Sequence, residues 1–314
     1  MELAADLAAL RESAALVELD DDLLEVAGPD RLRLLNGLVT ADVKSVASGT
    51  SVAGFFTSGQ GRILSDFRLL ALAETCWLAL PSGFAAAIGA HLEKYKVASR
   101  VEISRIESRR IWELRGPRAG ELAAAVSARE VAAGGAGALF GGGDRFYFVA
   151  AAAGAEERIL PPSGAEGFAS RRVSAAAVEL ARIEAGELRF GTDFSNDNFP
   201  QETGREGDVS YTKGCYLGQE VVARIHYRGG VQRMPRGLRF AGEELPAAGT
   251  ELLLEGRSVG RATSVASSPR FGAIGLGLLH RRAAEPGTVL HLPGGGEASV
   301  VELPFGSTPK EKAG

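Results

Sequence analysis

The chain has 314 residues, 45% of them hydrophobic and 24% charged, with a formal net charge of −4. That length accommodates two or three domains with a sizeable core, and the composition is that of an ordinary globular protein. The acidic balance argues against a general electrostatic nucleic-acid binder and leaves room only for a local basic groove. Cys76 and Cys215 lie in very different contexts, so no disulfide framework is expected and a reducing compartment fits. The N-terminal MELAADLAALRES carries early acids and no basic run, unlike a secretory signal. No apolar run reaches the ~18 residues of a membrane span, and a cytoplasmic location is the default expectation.

Residues 1–10 read as a short alanine-rich helix. Gly28, Pro29 and Asp30 open a second one, with Leu32, Leu35 and Leu38 on one face and Gly37 loosening its end. From Ser51 the period changes. Residues 52–57 predict a strand, Gly59-Gln60-Gly61 a tight turn, and 62–72 the returning strand. Asp66 falls inside that strand, where a carboxylate is costly unless it is paired or binds a ligand. The alternation Leu64, Asp66, Arg68 equally allows an outward face. Residues 76–80 predict a third strand with Cys76 as core packing, and 82–96 a helix capped by Ser82.

Residues 100–106 and 109–114 predict further strands, and 118–130 a helix. The glycine-rich stretch 134–143 reads as a flexible loop without phosphate-binding spacing. A strand over 145–151, a break at Pro161-Pro162 and a serine-capped helix over 174–188 follow. Late in that helix, Arg182 offers a planar fork to a carboxylate or a heterocycle, a solvated salt bridge being equally open. Residues 191–210 form a long polar loop of the kind that often carries function.

The stretch 213–228, KGCYLGQEVVARIHYR, concentrates the candidate chemistry. Cys215 stands between Gly214 and Gly218, which let the backbone turn and a partner come close. Leu217, Val221 and Ile225, with Val222 beside them, form one apolar helical face. Glu220, Arg224 and Arg228 share the same spacing on another face, in the better order for ion pairs. A cysteine within a residue or two of that helix's start would meet the positive end of its dipole. The Lys213 ammonium would add to this and favour the thiolate. Against it stands the commoner case of a free cysteine as a small buried hydrophobe. A Cys215–His226 pair is rejected, because eleven residues of helix would hold the two about 16 Å apart. The four histidines are scattered, so no metal site is expected. Two cysteines alone cannot supply the four thiolates of an iron–sulfur cluster. After Gly229-Gly230, short strands near 236–241, 251–254, 257–264, 272–279, 289–292 and 298–303 predict a small β-barrel or sandwich, ending in a polar tail from Gly306.

KGCYLGQE followed by VVARIHYRG resembles the signature of the YgfZ family, folate-binding relatives of the glycine-cleavage T-protein. RIEAGELRFGTDFSNDNFPQE is similar to a second family segment, with Arg182, Glu184, Asp193, Pro200 and Glu202 in matching places. LNGLVTADV and SVAGFFTSGQGRILSDFRLLAL resemble the N-terminal T-protein-like region, and the likeness covers nearly the whole chain. It implies an α+β fold: a T-protein-like core of two intertwined α+β subdomains around a central channel, plus a small C-terminal β-barrel. The core would span 1–229, roughly as 25–106 and as 107–229 with the N-terminal segment, and the barrel 230–314.

The resemblance further implies tetrahydrofolate or a one-carbon derivative as cofactor, with Asp66, Arg182, Glu184 and Glu202 around it. Cys215 and Lys213 would carry the chemistry, with Gly214, Tyr216, Gly218, Gln219, Glu220 and Arg224 completing the motif. Iron–sulfur client enzymes, some of them tRNA-modifying, or cluster-assembly proteins would be the partners of a monomer, with no strong direct nucleic-acid binding. Ser65 stands where T-proteins carry the other of two adjacent carboxylates, and their pterin-binding glutamate near 145–151 has no clear counterpart. The expectation is a folate-dependent factor for maturing or repairing iron–sulfur enzymes, with aminomethyl transfer to tetrahydrofolate as the alternative.

Overall fold

A computed structural model describes residues 2–132, 137–151, 170–242 and 244–307, which fall into two units. The first lies within Met1–Thr57, Leu64–Val178 and Asp208–Leu217. It is built on two five-stranded sheets. One has the order β10 (Ser170–Arg172), β1 (Ala14–Leu19), β7 (Arg109–Arg115), β9 (Arg145–Ala151), β8 (Ala138–Gly142). The other runs β3 (Ser51–Thr57), β4 (Ile63–Ala71), β5 (Thr75–Leu80), β2 (Asp22–Ala27), β6 (Glu102–Arg105). Between β1 and β2 only Asp20 and Asp21 remain to carry the chain from one sheet to the other.

The sheets meet across a shared core. Leu23, Leu70 and Trp77 come from the second sheet, and Ile111, Phe140, Tyr147 and Val149 from the first. Helices cover the far faces. Leu122, Ala123 and Val126 of α4 (Ala119–Ala132) pack on Trp112, Leu114 and Phe148. Ile88 and Leu92 of α3 (Ala85–Tyr95), with Leu34 and Leu35 of α2 (Arg31–Asn36), pack on Leu24, Val26, Leu69 and Leu78. Each such large apolar side chain contributes roughly 1.5–3 kcal/mol by leaving water. Along β4 the alternation is as expected: residues 63, 65, 67 and 69 are buried, and 64, 66 and 68 are half-buried on the opposite face.

Three local expectations are corrected. Ser82 does not cap α3; the Ala85 amide donates to the Asp22 carboxylate at 3.0 Å, an acid placed at the positive helix end. Part of the glycine-rich stretch is strand, with β8 pairing antiparallel to β9 from Ala138–Val149 to Gly142–Arg145. Residues 133–136, the Pro161-Pro162 break and the tail beyond 307 lie outside the described residues. Ser174 does cap its helix, α5 (Ala175–Ala185), accepting from the Ala177 amide at 3.3 Å. That helix stops at Ala185 rather than 188, with Gly186 at φ +72 as the stop.

The second unit lies within Ser58–Ile63, Glu179–Gly207 and Gly218–Gly314. Its center is a closed barrel of β11 (Arg233–Phe240), β14 (Gly272–His280), β13 (Arg257–Ser268), β12 (Glu251–Leu254), β15 (Val289–His291) and β16 (Glu297–Val301). Closure removes free sheet edges, and Leu238, Leu252, Ala262, Leu279, Leu290 and Val300 fill the interior. The fold is therefore α+β with a C-terminal barrel. No helix among the described residues is long and apolar enough to cross a membrane.

Candidate functional site

The loop that carries the motif is pinned on both sides of its cysteine. The Lys213 side chain turns inward, and Nζ donates to the carbonyls of Asn36, Val39 and Ala41 at 2.8, 2.9 and 2.6 Å. These oxygens lie at and just beyond the C-terminal end of α2, where helix carbonyls lack intrahelical partners. Burial pushes the Lys213 pKa down to about 8, with Asp42 acting the other way. Three carbonyls call for three N–H groups, which only the ammonium has, so Lys213 is charged at neutral pH. On the other side, the Leu217 amide donates to Gly37 O at 3.0 Å. The Thr57 hydroxyl in turn donates to Leu217 O at 2.6 Å. Tyr216 is buried with its ring 5.2 Å from Nζ, and its hydroxyl has no partner among the described residues. Between the anchors, Gly214 and Cys215 are exposed.

This geometry revises the expected activation of Cys215. The N–H groups of Lys213 are taken by backbone carbonyls. The helix α6 (Gln219–Arg224) begins four residues after the cysteine, behind Gly218, and is only six residues long. Past Arg224 the chain continues as a π-turn over Ile225–Gly229 instead of the regular helix expected. The expected pairing of Glu220 with the arginines of its face is absent: among the described residues it forms no ion pair with Arg224 or Arg228. Gly218 is required by its conformation, since at φ +86 an added Cβ would stand 2.4 Å from Ser58 O.

Arg182, Glu184 and Glu202, expected around a cofactor, are internal ties of the second unit. The Arg182 guanidinium donates to Asp193 Oδ2 and Glu187 O at 2.6 Å each and to Ser264 Oγ at 2.7 Å. Its remaining N–H groups go to Glu179 at 2.5 and 3.1 Å, which uses all five donors of a guanidinium. Asp193 is fully enclosed, and its oxygens also accept from Thr263 at 2.6 Å, Ser264 at 2.7 Å and the Arg189 amide at 2.9 Å. Glu184 Oε1 accepts from Ser268 at 2.6 Å. Glu202 Oε2 accepts from Asn198 at 2.9 Å and caps the turn at Phe199 N at 3.1 Å.

A cavity with a charged lining lies in the first unit. A cavity of about 330 Å³ is lined by Thr50, Ser51, Arg68, Gly141, Gly142, Arg145 and Tyr147. Arg68 lies over the Tyr147 ring at 4.0 Å, a cation–π contact that orients the guanidinium. Among the described residues it makes no hydrogen bond or ion pair. Arg145 Nε is held by Glu113 Oε1 at 3.0 Å, and the Tyr147 hydroxyl donates to the same oxygen at 3.4 Å. Burial, reinforced by Glu113, raises the Tyr147 pKa and keeps that hydroxyl protonated. Asp66 shares the half-buried face of β4 with Arg68, while Ser65 points the other way, fully buried, and donates to Asp66 O at 2.8 Å. Asp21 on the inter-sheet link feels Asp66, Arg68 and Glu113. Sequence reading missed Arg145 and Tyr147 as cavity residues and Glu113 as the partner that holds them.

The GCVT N-terminal domain family matches residues 2–137, and the glycine cleavage T-protein C-terminal barrel domain matches 233–306. The tRNA-modifying protein YgfZ of Edwardsiella ictaluri (strain 93-146) is 31% identical over 279 residues, 84% of this chain and 83% of that relative. The chain belongs to the YgfZ family. The tRNA-modifying protein YgfZ of Pectobacterium carotovorum is 28% identical over 261 residues, 79% of this chain and 77% of its own. A putative chloroplastic transferase of Arabidopsis thaliana is 22% identical, over 90% of this chain and 68% of its own. Glycine cleavage system aminomethyltransferase T from Bartonella henselae has the same fold: TM-score 0.80 at 24% identity, over 96% of this chain and 89% of that one.

YgfZ-family membership makes tetrahydrofolate the ligand to test against these residues. A cavity of about 330 Å³ is at the low end for small-ligand sites, enough for a fused heterocycle. Arg68, which makes no hydrogen bond or ion pair among the described residues, supplies donors that suit the acceptor edge of such a ring. The cavity fits; the saturated Arg182 does not.

Proposed function

We propose that this chain is a folate-binding factor that supports iron–sulfur enzymes, tRNA-modifying ones among them, through the thiol of Cys215. The observation that carries the reading is an exposed Cys215 held between the Lys213 and Leu217 anchors. A thiol on a pinned loop has a set position and an open approach, as a nucleophile or a transient cluster ligand requires. Relatives named tRNA-modifying proteins support the client class. Arg68, Asp66, Arg145 and Tyr147 would hold the folate, which when bound supplies a carrier for a one-carbon unit. Arg68 would grip an acceptor edge and Asp66 an N–H group, while Glu113 keeps Arg145 in place. The partners would be client enzymes or cluster-assembly proteins in the cytoplasm, met by a monomer. The test is the activity of an iron–sulfur tRNA-modifying enzyme in cells lacking this protein. Wild type restores it and Cys215→Ser at equal expression does not; full restoration by the variant removes the thiol from the mechanism.

A second reading, aminomethyl transfer to tetrahydrofolate, is favoured by the aminomethyltransferase fold. The buried Ser65 in place of a carboxylate counts against it. Turnover of an aminomethyl donor by the purified protein would bring this reading forward.

A further inference from the structure

The net charge of −4 conceals a local excess of the opposite sign in the second unit. The stretches 219–236 and 280–286 together carry six arginines against two glutamates, Glu220 and Glu285. The barrel brings the two stretches side by side. Arg233 lies opposite His280 in the pairing of β11 with β14, and the Arg281 amide donates to Gln232 O at 2.9 Å. Arg236 Nε donates to Ala284 O at 2.6 Å, which fastens the second stretch to β11. Arg224, Arg228, Arg233, Arg281 and Arg282 are exposed. Among the described residues their guanidinium groups make no hydrogen bond or ion pair. Tyr227 stands in the first stretch, 67% exposed, with the His226 ring edge-on to it at 4.7 Å. We propose that this surface binds a single-stranded segment of RNA, the arginines taking phosphates and Tyr227 a base. The proposal depends on neither the folate nor the thiol reading.

Exposed guanidinium groups without an internal partner can be recruited by a polyanion without breaking a contact of the fold. Each phosphate they neutralise releases a counterion, which favours binding whatever the base sequence. Arg228 is five residues from Arg233, a reach of at most about 18 Å, so these charges fall within the span of a few nucleotides. Two features favour RNA over an acidic protein surface. Protein interfaces are built around an apolar core, and Tyr227 is the one large hydrophobic side chain exposed in these stretches. An outstanding tyrosine amid cations is instead the arrangement that stacks an unpaired base. A duplex hides the faces of its bases, which leaves the unpaired loops of a folded RNA as the fitting target.

The test is the fluorescence anisotropy of a labelled hairpin RNA with an unpaired loop, titrated with the full chain. A blunt duplex RNA of equal length and polyglutamate serve as unlabelled competitors, and both should compete more weakly than the unlabelled hairpin. If all five arginines neutralise phosphates, log Kd should rise with log salt at a slope of roughly 3.5. Arg228→Gln combined with Arg281→Gln should lower that slope by roughly 1.4. Tyr227→Ala should weaken binding roughly tenfold and keep the slope. Arg270→Gln removes an exposed arginine from the turn before Gly272, about 27 Å of strand from His280, and should change neither. All four side chains are exposed, so the variants should keep the wild-type circular dichroism. The proposal is overturned if the hairpin does not bind at low salt, if the duplex competes equally, or if Arg270→Gln shares the loss. Polyglutamate competing as well as the hairpin, or Tyr227→Ala binding like wild type, shows a site for any polyanion, such as an acidic protein surface, and overturns it too.

Discussion

Replacing Lys213 with methionine tests whether the motif lysine anchors or reacts. The change keeps the aliphatic stem and deletes three charge-assisted bonds, at 2.8, 2.9 and 2.6 Å. Hydrogen bonds to charged groups contribute roughly 1.5–3 kcal/mol each. Desolvation of the ammonium, the same burial that lowers its pKa to about 8, offsets much of that sum. What remains is chiefly the penalty for three carbonyls left short of a donor, about 1 kcal/mol apiece. A loss of about 3 kcal/mol corresponds to a fall in Tm of roughly 6–12 °C for a unit of this size. Lys213→Arg should not rescue it, because a planar fork cannot aim three donors at converging carbonyls. Melting by circular dichroism gives the stability, and the rate of Cys215 with a thiol reagent at fixed pH gives the chemistry. Anchoring predicts a lower Tm with a thiol that reacts no more slowly. A wild-type Tm with a slowed thiol would refute the reasoning and return Lys213 to the chemistry.

Arg182→Met should destabilise the protein by about 3–5 kcal/mol, because the fully enclosed Asp193 loses its cation. Thermal melting checks this, and folate affinity measured below the transition should hold; weaker binding at an unchanged Tm would make Arg182 a ligand contact after all. For Asp21 the sign follows from its raised pKa. The folded state binds the proton more tightly than the unfolded chain, so this group's contribution is present below the ordinary carboxylate value and is lost as pH rises toward 7. Asp21→Asn should therefore melt above wild type at pH 8, with the gap narrowing as pH falls and closing only below about pH 4; a gap that does not vary with pH would contradict the raised pKa.

The barrel was legible because its strands are short, alternating and bounded by glycine and proline, and all six predicted strands overlap observed ones. The strands β1 and β2 were not. Alanine, leucine, glutamate and aspartate are weak strand formers, and what makes AALVEL and DLLEVA strands is pairing with Arg109–Arg115 and Thr75–Leu80, far along the chain. Missing them meant missing the Asp20-Asp21 link, although three consecutive acids between apolar runs were a visible signal. The cap of α3 failed for a similar reason: Ser82 was near in sequence, but Asp22 was near in space. The cavity draws Arg68 from β4, Glu113 from β7, and Arg145 and Tyr147 from β9, so no local spacing could announce it.

These contrasts separate two roles that a family motif runs together. Lys213, Arg182, Glu184, Glu202 and Gly218 all stand at matching positions, and each has a structural task with named partners. Cys215 and Arg68 have no such internal hydrogen bond or ion pair among the described residues, and neither has Asp21. A buried polar group must be satisfied within the fold, so a motif dense in buried polar residues marks where the backbone must be held to a narrow geometry. Chemistry is left to the groups that the fold holds in place without using their donors and acceptors. That argument supports the proposed role of Cys215, exposed between its two anchors. The cavity lined by Arg68 lies outside the motif and is assembled by the packing of the two sheets of the first unit.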